Sequence, residues 1–150
     1  MIRSGDEHYI MFRNRENFRR YLLEENINFE DVPFQDGGHG FRLLQTLENG
    51  PRLILGVSFN SDDTIVDIKI YNIAKIDNPL KKEFLYALLN ELNDDYRFTK
   101  FVEDDGEITA SYSMSLLGIM DYSELIFDTL VMIFNSVKEE FPKFMKLQWG

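Results

Sequence analysis

At 150 residues, 44% hydrophobic and 14% aromatic, the chain has enough apolar area for one core without covalent staples. Its 26 acidic residues against 16 basic give a formal charge of -10 and a pI near 4.6, a field that repels phosphate backbones and counts against nucleic acid as a partner. With no cysteine, disulfides, thiolate catalysis and thiolate metal ligation are excluded together.

The opening stretch, "MIRSGDEHYIMFRNRENF", carries no apolar leader core, and no later run approaches the roughly eighteen apolar residues of a membrane span. One cytoplasmic domain over residues 1–150 is the expectation. From Asn14 to about Asn26, Phe18, Tyr21, Leu22 and Glu25 recur at spacings of three and four, which predicts a first amphipathic helix. Arg13, Arg15, Arg19 and Arg20 on that helix read as a solvated basic face before they read as a binding site.

Next, "INFEDVPF" offers a short edge strand, weakened by Pro33. Three alternating segments follow: "GFRLLQTL", "RLILGVSF" and "TIVDIKIY", joined by "ENGP" and "NSDD". Phe41, Leu43 and Leu47 share one face of the first, Leu53, Leu55, Val57 and Phe59 one face of the second, and Val66, Ile68 and Ile70 one face of the third. Connections this short make an antiparallel meander. In "DNPLKKEFLYALLNELN" the period changes to helical, with Asp77 or Asn78 as cap, Pro79 in the first turn, and a stripe of Leu80, Phe84, Leu85, Leu88, Leu89 and Leu92.

"YRFTKFV" and "EITASYSM" then flank "EDDG", a hairpin in which Gly106 supplies a positive φ. Ile108, Ala110, Tyr112 and Met114 face one way, and Thr109, Ser111, Ser113 and Ser115 face water. Asp121 and Glu124 stand at capping-box spacing before a last helix whose apolar positions, Leu125, Ile126, Leu130, Ile133, Phe134, Val137 and Phe141, run to Pro142. The order α-β-β-β-α-β-β-α predicts an α+β fold: an antiparallel sheet, built from a three-stranded meander plus a hairpin, with helices packed on one face.

Chemistry-bearing motifs are few. "FQDGGHGFRL" lacks the Gly-Lys-Ser/Thr of a phosphate loop and leads into a strand, not a helix. His39 with Asp36 is too small a ligand set for a metal, with His8 far off in the N-terminal stretch, so the segment reads as an exposed turn that aims Phe41 and Leu43 inward. The acid pairs Asp62/Asp63, Asp94/Asp95 and Asp104/Asp105 all fall at predicted turns or helix ends, and "FVEDDGE" breaks the EF-hand pattern. The serines of "SYSMS" lie on a strand without a nucleophile elbow. No catalytic residue, metal site or cofactor site is expected, and an enzyme is disfavoured.

The second sheet face is the stronger candidate. If Leu53, Leu55, Val66 and Ile68 point to the helices, Leu44, Ile54, Ile65 and Tyr71 point away from them, with Phe101 nearby. A contiguous patch there marks a protein partner or self-association; scattered side chains mark nothing.

The stretch "EFLYALLNELNDDYRFTKFVEDDGEITASYSMSL", from Glu83 to Leu116, and the ending "FPKFMKLQWG" resemble the YbjN family, which has the type III secretion chaperone-like fold. The resemblance spans the domain in architecture and is carried by residues of the second half. It implies a small, acidic, non-enzymatic bacterial protein related in fold to dimeric chaperones that hold secreted partners extended, and it transfers no catalytic residue. Three functions are therefore open: an intracellular, homodimeric protein-interaction module acting through the sheet face or a strand edge; a secretion-type chaperone with an extended client; and a small-ligand or metal binder built on the clustered acids.

Overall fold

Alternating apolar side chains draw the strands into one sheet, because each strand has a single face to bury. The computed structural model describes residues 12–150; the expectations for His8 and for the opening stretch lie outside the described residues. In chain order the elements are α1 (Arg13–Glu24), β1 (Glu30–Pro33), β2 (His39–Thr46), β3 (Arg52–Phe59), β4 (Ile65–Lys75), a 3₁₀ turn (Pro79–Lys81), α2 (Lys82–Asp95), β5 (Lys100–Asp104), β6 (Glu107–Ser115) and α3 (Ser123–Trp149). All strand pairs are antiparallel in the order β1-β2-β3-β4-β6-β5. The expected meander and hairpin are present, and "EDVP" adds the sixth strand: Pro33 is tolerated because β1 is an edge.

The core lies between the inner sheet face and the helices. Phe41, Leu43, Leu53, Leu55, Val57, Phe59, Val66, Ile68 and Ile70 are all buried, facing Phe18 and Leu22 of α1 and Ile126, Leu130, Ile133 and Val137 of α3. Phe18 meets the edge of Phe41 at 5.5 Å between ring centres and tilts against Phe59 at 5.9 Å, geometries that satisfy the ring quadrupoles as well as burying area.

The start of α1 is held from a distance. Its N-cap position, Phe12, supplies no side-chain cap, and the orphan amides of Asn14 and Arg15 donate instead to Asp63 in the β3–β4 turn, at 2.7 and 3.1 Å. Asn14 Nδ2 donates to the Asp63 carbonyl at 2.7 Å, and the Arg15 guanidinium reaches the carbonyls of Gly37 and Asn60. Burial pushes the Asp63 carboxyl above its ordinary value, opposed by the two amides and by Arg15. Asp63 thus does more than the turn chemistry expected of it.

Three local expectations need correction. Pro142 does not end the last helix, which continues to Trp149. A proline inside a helix costs about 3 kcal/mol, and here the next turns seat Phe144 against Phe101 at 5.6 Å and let Gln148 accept from the Lys75 amide at 2.9 Å. Asp121 accepts from the Ser123 amide at 2.9 Å, but Tyr122 is the N-cap and no reciprocal Glu124 bond completes a capping box. In α2 only Leu85 and Leu92 are buried, while Leu80 (84% exposed) and Phe84 face outward. The predicted stripe is wider than the surface available to it, since Leu80 precedes the helix in the 3₁₀ turn.

Removing the distant cap leaves two amides without their acceptor and a buried guanidinium without its counter-charge. Asp63→Ala is therefore expected to lower stability by about 3 kcal/mol, read as a fall in the urea midpoint at unchanged m-value.

Candidate interaction site

The outer sheet face, away from the helices, splits into two regions of different character. Across β6 it carries Thr109, Ser111 and Ser113, with Ser113 Oγ donating to Asp67, and β5 adds Lys100 and the exposed Val102. Across β2, β3 and β4 it is apolar: Leu44 stands opposite Ile54, and Ile54 opposite Tyr71, so the three form one cross-strand row. Leu44 (50%) and Tyr71 (40%) are exposed and Ile54 is half-buried. Directly opposed side chains in a sheet lie about 4.5–5.5 Å apart at Cβ, close enough to form one surface.

Two glycines extend this row. At Gly40 an added Cβ would lie 2.9 Å from Phe34 Cζ, and at Gly56 one would lie 3.2 Å from Tyr71 Cε2, so two aromatic rings lie over the bare backbone. Val32, Phe34, Gly40, Ile54, Gly56 and Tyr71 bound a shallow hollow of about 140 Å³. Alternation in the three meander segments does not reach Phe34 and Val32, because Phe34 lies in the connection before β2 and Val32 on the short edge strand β1. The available signal was a strand glycine, which marks close approach by another group.

Tyr71 faces out by alternation after buried Ile70, at the entry to a bulge. The β4–β6 register breaks between Ile70 and Ala74, with Asn72 at φ 68° and its amide nitrogen donating to the Arg52 carbonyl at 3.2 Å. The inserted residues send Ile73 into the core while Tyr71 stays outside opposite Ile54.

Two of the expected patch residues lie elsewhere. Phe101 is 1% exposed and faces the helices: it pairs with buried Ala110 and packs on Tyr96 and Phe144. The register of β5 relative to β6 decides its face, and a one-residue difference inverts it. Ile65 is exposed on the outer face but opposes Ser115. Six residues separate it from Tyr71 along β4, roughly 20 Å, with Asp67 and Lys69 between.

The glycine-rich segment and the arginines are structural. Gly37 has φ +93°, the Phe34 amide donates to the Gly38 carbonyl, and Asp36 accepts from the Gly38 amide, closing the turn. His39 turns away from Asp36 and meets Asp31 with Nε2 at 2.7 Å. Arg19 also holds Asp31, lies near Glu16 at 3.5 Å, and spreads over the Phe41 ring at 5.1 Å. Arg13 donates to the Met120 carbonyl and Arg20 to Asn17; Arg15 is buried, so the expected solvated basic face is instead a set of tethers. Among the described residues, no group of three or more histidine and carboxylate side chains comes together as a metal ligand set, and no helix is long and apolar enough to cross a membrane.

Asp31 gives the edge strand a pH dependence. Partial burial pushes its carboxyl up, but the hydrogen bonds and charges of Arg19 and His39 together outweigh that and hold it below its ordinary 3.8. A depressed folded-state pKa means stabilisation present above 3.8 and lost as pH falls through the folded value. Wild type is therefore expected to melt above Asp31→Asn at neutral pH, with the gap closing as pH drops below 3.8, in paired thermal scans.

No family model and no curated protein matches the sequence. Among solved structures the chain is similar to YbjN from E. coli, described as a candidate transcription regulator, at 14% identity with a TM-score of 0.54, over 84% of this chain and 90% of that one. The fold is YbjN-like, in agreement with the resemblance carried by Glu83–Leu116.

Proposed function

We propose that this domain is a cytoplasmic, non-enzymatic protein-interaction module that self-associates through its outer sheet face. The observation that carries the reading is the Leu44–Ile54–Tyr71 row with Phe34 beside it: apolar surface continuous over neighbouring strands, where separate exposed side chains would need no explanation. Charge favours a second copy there. On β1 to β4 the outer face carries Arg42, Arg52 and Lys69 against Glu30 and Asp67, so it escapes the acidic excess that makes two copies repel elsewhere. Mixed signs around an apolar centre suit an isologous interface, in which the same patch meets itself.

A YbjN-type regulatory role fits this chain through protein contact. An acidic domain whose basic helix side chains are occupied by carbonyls and carboxylates offers little to a phosphate backbone.

Replacing Ile54 with Asp puts a charge in the centre of the row without touching the core. Light scattering is expected to report a 17.7 kDa monomer for Ile54→Asp and a larger species for wild type, with unchanged far-ultraviolet circular dichroism for both. Ile65→Asp, at the remote end of β4, should keep the wild-type mass. An Ile54→Asp protein that associates like wild type sinks the sheet-face reading.

A further inference from the structure

β1 is four residues long and covers β2 no further than Arg42. Beyond that point, among the described residues, no strand pairs with Leu43–Thr46 on the side away from β3. The ladder fixes which backbone groups face that opening. Leu47 donates to the Pro51 carbonyl on the β3 side, and the Gly38 carbonyl accepts from Phe34 on the β1 side, each at 3.0 Å. Alternation then turns the N–H and C=O of Leu44 and Thr46 to the open edge. Among the described residues, no turn or loop backbone group bonds to either residue, and the Thr46 carbonyl receives a long contact from Gln45 Nε2 at 3.5 Å.

Under the same edge, on the helix side, lies a groove of about 480 Å³ whose walls include Ile27, Leu43, Leu55, Phe127, Val131 and Phe134. Carboxylates stand beyond its Phe127 end, outside the groove lining. The Tyr21 ring touches Phe127 at 5.7 Å between centres, and Glu25, Asp128 and Glu124 all act on the Tyr21 hydroxyl. On the other side of the edge a second hollow is bounded by Arg42, Arg52 and Glu30.

We infer that the Leu43–Thr46 edge of β2 accepts an extended peptide as an added strand, with alternate apolar side chains entering the groove and a basic residue at the Phe127 end. Strand addition supplies both parts of such recognition: backbone bonds for affinity and pockets at period two for selectivity. A second copy is the wrong shape for this edge. Self-pairing of β2 would join two hollows and fill neither, because the inward residues of the partner edge line its own groove. Net charge also opposes it and favours a basic peptide. The inference does not rest on the sheet-face dimer: the groove lies on the helix side of the sheet, and Leu44, at the edge, is the residue the two surfaces share.

The probe is a fluorescein-labelled octapeptide in which valine alternates with threonine behind two lysines, followed by anisotropy. Two derivatives, N-methylated on alternate sets of amides, separate strand addition from general stickiness. One set faces β2 and the other faces solvent, so one derivative should bind like the parent and the other should lose at least tenfold. Val131→Glu and Asp128→Lys should each weaken the parent peptide at least tenfold with unchanged circular dichroism, and Ile54→Asp should leave its binding unaltered. The inference is overturned by absence of binding, by equal effects of both methylations, or by binding that ignores Val131→Glu. Loss on Ile54→Asp would move the peptide to the outer face, and a changed light-scattering mass for Val131→Glu would give the edge to a second copy; both outcomes also overturn it.

Discussion

A single carboxylate, Asp63, decides where α1 sits. Two backbone amides at the start of the helix and the Arg15 guanidinium converge on a turn nearly fifty residues later in the chain. Buried donors must find acceptors, so α1 cannot slide along the sheet without orphaning them. With that end pinned, Phe18 and Leu22 fall on Phe41 and Phe59, and Arg19 falls on Asp31, which fastens β1 to the helix.

The same placement shapes what is left uncovered. α1 ends at Glu24, Asn26 takes φ 55°, and the Ile27 amide donates back to the Leu22 carbonyl at 2.9 Å. The chain then enters β1 only at Glu30, opposite Arg42. A helix pinned at its start and a connector turned at its end leave β2 short of cover over its second half, with α3 as the far wall of the resulting groove. The groove is a consequence of element lengths, not of any conspicuous motif.

The two sides of the sheet obey different rules. Inside, the apolar strand side chains pack against the helices around a close-packed centre; outside, Gly40 and Gly56 strip two positions of side chain, and Phe34 and Tyr71 lie over the exposed backbone. The aromatic covering is placed locally, by the Asp36 turn for Phe34 and by strand alternation opposite Ile54 for Tyr71, while the β4 bulge redirects Ile73. Such devices change which surface a strand presents without disturbing its buried face.

Amino-acid order alone determined the strands, the helices and the class of fold, because burial of one face writes period two or period 3.6 directly into the chain. It also determined that Leu44, Ile54 and Tyr71 face away from Leu53, Leu55 and Ile68, which follows from alternation within each strand. Only the tertiary structure decided which outward residues meet: cross-strand register set Ile54 between Leu44 and Tyr71, left Ile65 at the far end, and turned Phe101 into the core. Likewise Asp63 reads locally as a turn residue, and Pro142 as a stop. Their real roles come from partners distant in the chain, Asn14 and Arg15 for the one, Lys75 and Phe101 for the turns beyond the other. Periodicity is a local property of the chain, whereas register, capping at a distance and uncovered edges depend on how separate segments meet in space.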